Sequence, residues 1–482
     1  MKLYNTLTRK LDDVTPLNPP VVTVYTCGPT VYDYAHVGHW FNYVRMDTLI
    51  RALKSADFNP KWVMNITDVG HLVSDADEGE DKLEKGARRE GKTAWEVAEF
   101  YTKDFLDGWQ KLGMLQPNHI VKATDHIADQ IALIEKLEQK GYTYVIDDGV
   151  YYDTSKFEGY AAFARLDLDE LQEGARVAAN PQKRNGADFA LWKLSPQDHT
   201  RDMEWDSPWG KGFPGWHIEC SAMSMKYLGD TLDIHTGGID HIPVHHTNEI
   251  AQSEAATGQR FANLWLHGNH LLVNGEKIAK SLGNGLRLDE IIEKGFSPLV
   301  LRLHVLESHY RSQSKFSLES LEAARNRLNG YQAMADLRWQ TIDFNFEAAD
   351  KKRAAGEDVI NPITDVELDR AKQEITESLA SDLNTPRALS ILSEFSSQVV
   401  EKLVAQDMKE KFVGLLEIID NLLGLQLCER PDISTEQKQL IADREAARQT
   451  KDWNKSDQLR DELAKQGIAV RDTASGPIWY RA

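Results

Sequence analysis

The chain has 482 residues and a formal net charge of −19 at neutral pH. This length is too great for one hydrophobic core and predicts about three domains. The negative charge argues against a protein that binds nucleic acid over its whole surface, so a nucleic acid would have to bind a local basic face. No apolar run approaches the ~20 residues that span a bilayer, and the opening residues lack the apolar segment of a signal peptide. We therefore expect a cytoplasmic protein that does not enter a membrane.

The first strong pattern in the chain is a strand, a tight turn and a helix. VVTVYT (21–26) is typical of a buried strand, CGPT interrupts it, and helical spacing of apolar residues starts near Gly38. This unit opens a doubly wound α/β sheet, whose ligands bind beyond the carboxyl ends of the strands. His36 and His39 lie at the turn, where the N–H groups of a helix start favour phosphate. The spacing alone equally allows two incidental histidines.

A hairpin pattern interrupts the α/β segment. KWVMNITD (61–68) predicts the next strand, and the charged, glycine-rich stretch 74–92 predicts a mobile surface loop. YTYVIDDGVYYDT (142–154) predicts two strands around an Asp-Asp-Gly turn. We interpret residues 126–205 as an insertion in the first domain.

Residues 215–252 hold a thiol, an imidazole and a carboxylate within a short stretch. LDIHTGG (232–238) predicts a returning strand, and His245 and Glu249 are four apart, so they share one face of a helix. With Cys220 they are plausible zinc ligands. On its own, a His/Glu pair at this spacing is more typical of a solvated helix face.

The remaining patterns are a basic loop followed by helices. Residues 263–284 predict a strand pair leading into KIAKS (277–281), whose lysines could hold a polyphosphate or simply form a solvated turn. Beyond Phe316 the apolar spacing is that of amphipathic helices. Residues 346–362 are typical of a flexible polar linker, and 434–466 is helical with a hairpin after it.

In order, these segments resemble the cysteinyl-tRNA synthetase family of class I aminoacyl-tRNA synthetases. The resemblance covers essentially the whole chain and rests on an ordered series of segments: CGPTVYDYAHVGH, NITD, GWHIECSAM, GGIDHIPVHHTNEIAQS, KIAKSLGN, HYRSQ, DLNTPRAL and the closing WYR. It implies a Rossmann-like, doubly wound parallel α/β catalytic domain with an inserted connective domain, then an α-helical bundle and a small C-terminal anticodon-binding domain. The implied boundaries are 1–125 and 206–262 for the two catalytic halves, 126–205 for the insertion, 263–315 for the basic-loop region, 316–428 for the bundle and 429–482 for the last domain.

The resemblance also implies roles for individual residues. The zinc ligands would be Cys27, Cys220, His245 and Glu249. The catalytic residues would be His36, His39, Lys277 and Lys280, and the ATP contacts would be these four with Gly38 and Ser281. The amino-acid contacts would be Gly28, Thr67, Trp216 and Asp240. His246 competes with His245 as a ligand, and the family pattern favours His245.

Other residues carry weaker expectations. Trp216 alone could equally be a core residue. Cys428 is expected to pack and not to react, and three cysteines far apart in sequence suit a reducing compartment. Trp479 and Arg481 are candidate contacts to tRNA bases and phosphates.

The chain departs from the family pattern at four places. KIAKS replaces KMSKS and puts Ala279 where a serine is usual, and HVGH replaces HIGH. The segment WFN stands where an Arg-Thr pair is common, and Thr247 stands where an acid is common. None removes a residue with an assigned chemical role, but together they indicate a slow enzyme.

The implied reaction has two steps. Cysteine and ATP, with Mg²⁺, would give cysteinyl-adenylate and pyrophosphate, and the cysteinyl group would pass to the 3′ end of tRNA(Cys). One zinc ion per chain would bind the substrate thiolate, and the protein would act as a monomer. Two alternatives stay open: a ligase that joins cysteine to a small amine, and a non-catalytic tRNA-binding paralogue.

Overall fold

The structure is a computed structural model that describes residues 1–70, 81–165, 180–196, 200–277, 285–356, 359, 361–473 and 476–481. The chain divides into two compact units. The first comprises Met1–Ser317 with Ala380–Leu383, and the second comprises Leu318–Leu379 with Asn384–Ala482. Within the described residues, no helix is both long enough and apolar enough to cross a membrane.

The first unit combines fourteen described strands with eight described helices. The strands are β1 (Lys2–Asn5), β2 (Lys10–Asp13), β3 (Val21–Thr26), β4 (Asn59–Ile66), β5 (His119–Lys122), β6 (Thr143–Ile146), β7 (Gly149–Tyr152), β8 (Phe189–Leu194), β9 (Gly212–Pro214), β10 (Leu232–Gly238), β11 (Ala262–Gly268), β12 (Leu271–Val273), β13 (Glu276–Lys277) and β14 (Ser314–Phe316). The helices are α1 (Val37–Ser55), α2 (Lys82–Glu90), α3 (Ala94–Lys111), α4 (Ile127–Gln139), α5 (Trp216–Leu228), α6 (His245–Thr257), α7 (Leu288–Glu293) and α8 (Pro298–Leu306).

A five-stranded parallel sheet forms the centre of the first unit, in the order β11-β10-β3-β4-β5. Strand order reverses between β3 and β10, and Thr26 pairs with Met64 on one side and Thr236 on the other. This arrangement confirms the predicted doubly wound α/β fold. Because ligands of such sheets bind where strand order reverses, the carboxyl ends of β3 and β10 are the expected site.

A second, antiparallel sheet in this unit has the order β6-β7-β8-β9. The hairpin of β6 and β7 confirms the prediction made for 142–154, with Val145 paired to Val150. Residues 166–179 and 197–199 of the expected insertion lie outside the described residues.

The prediction of a loop over 74–92 is wrong for its second half, which contains α2. Asp81 caps this helix, since its carboxylate accepts hydrogen bonds from the N–H groups of Leu83 and Glu84. Leu83 and Ala87, one turn apart, are buried. Residues 74–80 lie outside the described part of the chain.

The second unit is mainly helical. Its helices are α9 (Leu318–Asp336), α10 (Phe346–Ala354), α11 (Asp365–Ala380), α12 (Thr385–Lys402), α13 (Lys409–Leu423), α14 (Thr435–Gln449) and α15 (Trp453–Lys465), and its strands are β15 (Ile468–Thr473) and β16 (Gly476–Arg481). The expected linker over 346–362 is thus wrong where α10 forms, capped by the side chain of Asn345. The closing hairpin is confirmed by the antiparallel pairing of β15 and β16.

A buried ion pair ties α1 to α8 in the first unit. Asp47 is fully buried and accepts hydrogen bonds from the guanidinium groups of Arg302 and Arg51, the latter at 2.7 Å. The N–H of Leu115 also donates to it at 2.7 Å. Burial alone would raise the pKa of Asp47, but the two arginines hold that pKa below its ordinary value.

We expect the substitution Asp47→Asn to lower the free energy of unfolding by about 3–5 kcal/mol at neutral pH, because Arg302 would be left as an uncompensated buried charge. Since the native pKa of Asp47 is depressed, its contribution is present above the unfolded-state pKa and is lost as pH falls. Urea unfolding should therefore show that the free energy of unfolding falls less between neutral and acidic pH in the variant than in the unaltered protein.

The matched control is Asp13→Asn, because Asp13 pairs with Lys2 on the surface, with both side chains more than half exposed. That variant should change stability by less than about 1 kcal/mol. Adding Arg302→Met to Asp47→Asn should recover part of the loss. Equal losses in the Asp47 and Asp13 variants would contradict the buried-pair explanation.

Candidate metal centre and amino-acid pocket

Four possible metal ligands meet where strand order in the parallel sheet reverses. Cys27 follows β3, Cys220 lies on α5, and His245 and Glu249 lie on successive turns of α6. One donor atom of each lies within 4.8 Å of the other three, and all four side chains are buried. The structure thus brings together the four residues named from the sequence, and their role as zinc ligands stays a prediction.

The chemistry of these donors fits zinc, which prefers sulfur and imidazole nitrogen with an occasional carboxylate in a four-coordinate site. His245 Nε2 lies 3.1 Å from Glu249 Oε1, and Cys27 Sγ lies 3.8 Å from the same oxygen. Burial raises the pKa of Cys27 well above its ordinary value, whereas a hydrogen bond with Cys27 lowers the pKa of Cys220.

The carboxylate of Glu249 is held on both of its oxygens. His235 Nε2 lies 2.8 Å from Oε2, while Oε1 faces His245. Burial alone would raise the pKa of Glu249, but His235 and His245 hold that pKa well below its ordinary value. The carboxylate is thus kept ionised and fixed in orientation, as a metal ligand requires.

A second group of donors overlaps the first and was not predicted. It consists of Cys27, His235, His246 and Glu249, again with donor atoms within 4.8 Å of one another. His246 Nε2 lies 3.4 Å from Cys27 Sγ, and its Nδ1 lies 2.8 Å from His267 Nε2. The first group offers two sulfurs and so fits zinc better than the second, and its role as the metal site stays a prediction. In that arrangement His235 and His246 would orient the ligands from outside. The sequence signal that could have pointed to His235 is its place inside the predicted strand 232–238.

Two histidines at the start of α1 are fixed by the main chain. His36 is the N-cap, and its Nδ1 accepts a hydrogen bond from the N–H of Gly38 at 3.1 Å. His39 Nδ1 accepts from the N–H of His36 at 3.1 Å, and the two rings stack 3.9 Å apart. Because each Nδ1 is an acceptor, a neutral ring carries its hydrogen on Nε2. Both rings can therefore offer an Nε2–H donor beside a helix N-terminus, which favours anions.

The four expected amino-acid contacts lie near the metal ligands along the chain or in space. Gly28 follows Cys27, and a Cβ there would lie 1.6 Å from the carbonyl oxygen of Asn65. The ring of Trp216 is half-buried and lies 5.1 Å from that of His245. Asp240 is exposed, and its carboxylate lies 3.2 Å from His270 Nδ1. Thr67 is buried at the end of β4.

The expected nucleotide loop is largely outside the described residues. Lys277 ends β13, where it pairs with Leu272 along the main chain. Lys280 and Ser281 are not among the described residues, and neither is the side chain of Lys277. Their contacts to ATP stay predictions.

The prediction that Trp479 stacks on a tRNA base is wrong, and the phosphate contact of Arg481 stays a prediction. Trp479 is buried in the small core of the C-terminal segment, which also contains Ile433, Ile441, Leu463 and Ile468. Arg481 donates to the buried carboxylate of Asp336 at 2.8 Å. An aromatic ring at a strand end can face either core or solvent, and the sequence did not distinguish them. The exposed tryptophan of this segment is Trp453, 56% exposed, with the Arg448 guanidinium 5.8 Å from its ring.

Comparison with known proteins assigns the chain to a class. The family of tRNA synthetases class I (C) catalytic domains matches residues 13–326. The cysteinyl-tRNA ligase anticodon binding domain matches residues 430–481. Cysteine–tRNA ligase 1 of Burkholderia lata is 45% identical over 484 residues, covering 99% of this chain and 96% of that protein. Cysteine–tRNA ligase of Treponema denticola is 41% identical over 499 residues, covering 100% and 99%. The chain belongs to the cysteine–tRNA ligase family.

Solved structures of similar fold are more distant synthetases. The LeuRS–tRNA–LeuAMS complex of Agrobacterium radiobacter has a TM-score of 0.58 at 13% identity, covering 86% of this chain and 85% of that one. Methionyl-tRNA synthetase of Mycobacterium tuberculosis, in complex with methionyl-adenylate, has a TM-score of 0.54 at 14% identity, covering 85% and 92%. At these identities the likeness concerns the fold alone, and it agrees with the Rossmann-like architecture.

We expect Cys220→Ser to retain less than about a tenth of the zinc bound by the unaltered protein, because a hydroxyl is a far poorer zinc donor than a thiolate. The matched control is Cys428→Ser, since Cys428 is a free cysteine of the second unit that belongs to neither group of donors. Metal analysis of the purified proteins by mass spectrometry makes the comparison. Equal zinc content in the two variants would contradict the assigned site.

Proposed function

We propose that this chain activates cysteine with ATP and transfers the cysteinyl group to tRNA(Cys), acting as a monomer in the cytoplasm. The observation that carries the proposal is the convergence of two thiols, an imidazole and a carboxylate where the strand order of the sheet reverses. Three free cysteines suit a reducing compartment. The match of residues 430–481 to an anticodon-binding domain favours this function over a ligase that acts on a small amine, which would not need that domain.

Selection of cysteine over serine is the chemical problem that the metal site would solve. The two amino acids are almost isosteric, and pocket shape separates such pairs by only ~10–200-fold. Zinc held by Cys27, Cys220, His245 and Glu249 would bind a thiolate far better than a hydroxyl, which ionises with much more difficulty. No separate editing site would then be needed.

A site with four protein ligands has to make room for the substrate's sulfur. Glu249 is the ligand best prepared to loosen, because His235 already holds its second oxygen at 2.8 Å. The carboxylate can therefore withdraw from the ligand position without becoming an unpaired buried charge, which would be costly. Cys27 and Cys220 differ from Glu249 because a thiolate has only one donor atom. A cysteine cannot leave the metal with one atom while a neighbour holds another.

The ATP-dependent step would use positioning and charge stabilisation, with little covalent work for side chains. The Nε2–H groups of His36 and His39 would donate to the phosphates at the start of α1. Gly38 leaves room for the nucleotide to approach the main chain there. We assign Lys277, Lys280 and Ser281 to the leaving pyrophosphate, with Mg²⁺ carried in by ATP.

The C-terminal segment would read the anticodon. Trp453 offers an exposed ring on which a base could stack, and Arg448 adds a positive charge beside it.

The cysteine substrate would be contacted by the four residues named from the sequence: Gly28, Thr67, Trp216 and Asp240.

We expect Glu249→Gln and Cys27→Ser to abolish cysteine-dependent ATP–pyrophosphate exchange, because each removes a charged ligand of the metal. The exchange assay is run with cysteine, serine and alanine, and Cys428→Ser serves as the control with unchanged activity. In the cobalt-substituted protein, cysteine but not serine should change the sulfur-to-metal absorption. Full activity and undiminished rejection of serine in a zinc-free variant would refute the metal's role.

We expect Trp453→Ala to lower the kcat/KM for tRNA charging roughly 10- to 100-fold, because stacking on an aromatic ring contributes about 1–3 kcal/mol per base. The exchange reaction, which needs no tRNA, should keep its rate. Val366→Ala, an exposed apolar position elsewhere in the same unit, is the control.

A point variant is preferable to deleting residues 430–482 for this test. Arg430 and Arg481 both pair with the fully buried Asp336, so deletion would leave a buried charge without these partners. If Trp453→Ala and Val366→Ala charge tRNA equally well, Trp453 is not the contact.

A further inference from the structure

A chain of hydrogen bonds runs from the residue after the metal ligand Cys27 to the residue before the metal ligand Cys220. The N–H of Gly28 donates to Asn65 Oδ1 at 2.8 Å, and Asn65 Nδ2 donates to Thr67 Oγ1 at 3.1 Å. The Thr67 hydroxyl then donates to Glu219 Oε2 at 3.1 Å. Asn65, Thr67 and Glu219 are each at least 98% buried.

The Gly28 N–H sets the direction of the first two bonds, and the carboxylate of Glu219, an acceptor when ionised, sets the last. A backbone N–H can only donate, so the oxygen of the Asn65 amide must face Gly28 and its nitrogen must face Thr67. Thr67 Oγ1 consequently accepts from Asn65 and gives its own hydrogen to the carboxylate of Glu219. A hydroxyl has one hydrogen and two lone pairs, so one lone pair is left. Toward a ligand, Thr67 can therefore only accept a hydrogen bond.

The surroundings of Thr67 favour a cation. Glu219 is fully buried and Asp68 is 4% exposed, so two carboxylates lie at the carboxyl end of β4. The carboxylate of Asp68 accepts hydrogen bonds from the N–H and the hydroxyl of Thr124, at 3.0 and 2.7 Å. Thr67 also pairs with the loop after Cys27, since its N–H donates to Pro29 O at 3.0 Å. A substrate with its sulfur at the metal site would bring its α-amino group close to this loop.

We propose that Glu219 is a positioning residue for substrate recognition, which makes the Thr67 hydroxyl an obligate acceptor for the protonated α-amino group of cysteine. The inference rests on the proposed function, because it takes cysteine as the ligand. Glu219 does not touch the substrate in this arrangement. It removes the hydrogen that would otherwise let Thr67 donate, and it adds negative charge beside the ammonium group.

The alternative is a purely structural role, in which the chain only holds Gly28 and hence Cys27 in place. The two roles predict different losses. A structural role would lower zinc content and weaken every thiol ligand alike. A role toward the ammonium group would weaken only ligands that carry one.

The test compares three thiols on the zinc-loaded, full-length protein by calorimetry: cysteine, cysteamine, which lacks the carboxylate, and 3-mercaptopropionate, which lacks the amino group. Glu219→Gln removes the negative charge and introduces an NH2 group that can donate to Thr67 and so free the threonine hydrogen. We expect it to weaken cysteine and cysteamine roughly 10- to 100-fold, the range of a hydrogen bond to a charged group, and 3-mercaptopropionate less than about threefold. In exchange assays KM for cysteine should rise more than kcat falls, with zinc content unchanged.

Asp233→Asn is the matched control. Asp233 is also a buried carboxylate that accepts from a threonine hydroxyl, that of Thr23 at 2.9 Å, but near the opposite end of the sheet. It should leave all three affinities unchanged. Thr67→Val should reproduce the Glu219→Gln pattern, and Thr67→Ser, which keeps the hydroxyl, should recover most of the affinity that Thr67→Val loses. The double variant Glu219→Gln/Thr67→Val should weaken cysteine little more than either single variant.

Equal weakening of all three thiols, loss of zinc, or no change in Glu219→Gln would each overturn the proposal. If Glu219→Gln does not fold, the contrast between Thr67→Val and Thr67→Ser decides in its place. Failure of the proposed function is separate, because it would appear as absent cysteine-dependent exchange in the unaltered protein.

Discussion

The buried carboxylate of Glu249 is the constraint on which the site depends. An ionised carboxylate without access to water is costly unless it is paired, and here one imidazole comes from a strand and one from its own helix. His235 lies in β10 and His245 in α6, so the pairing fixes how the helix lies against the sheet. That position in turn brings His245 within reach of both cysteines. The packing of α6 against the sheet therefore positions two of the candidate ligands, and the loop after β3 supplies Cys27.

Two strands of the central sheet, 21–26 and 232–238, have the predicted limits. VVTVYT is an apolar, β-branched run, as burial on both faces requires, whereas LDIHTGG includes Asp233, His235 and Thr236 and ends at a double glycine. The helices at 82–90 and 346–354 could not be predicted in the same way. Both are polar on most of their surface, and their starts are fixed by caps at Asp81 and Asn345 that look like ordinary loop residues.

The sequence named the four candidate metal ligands but missed the residues that hold the site residues in place. Residue types and spacing named Cys220, His245 and Glu249, the resemblance added Cys27, and the structure places the four donors together. Their role as metal ligands stays a prediction. His235 and Glu219 escaped notice because their importance lies in partners that are distant in sequence, Glu249 and Thr67. Trp479 shows the opposite error, since an aromatic residue near a chain end was read as exposed and is instead part of a core.

The capping of α1 by its own histidines has a consequence for turnover. Each imidazole uses its Nδ1 to accept a main-chain hydrogen bond at the start of α1. Neither ring can therefore flip or change tautomer without breaking that bond. In the proposed role of His36 and His39 at the phosphates, the freedom to misdirect these donors would be lost once, when the protein folds, and not again with each nucleotide. Because both rings are already oriented in the folded protein, the proposed phosphate donors would need no reorientation in each catalytic cycle.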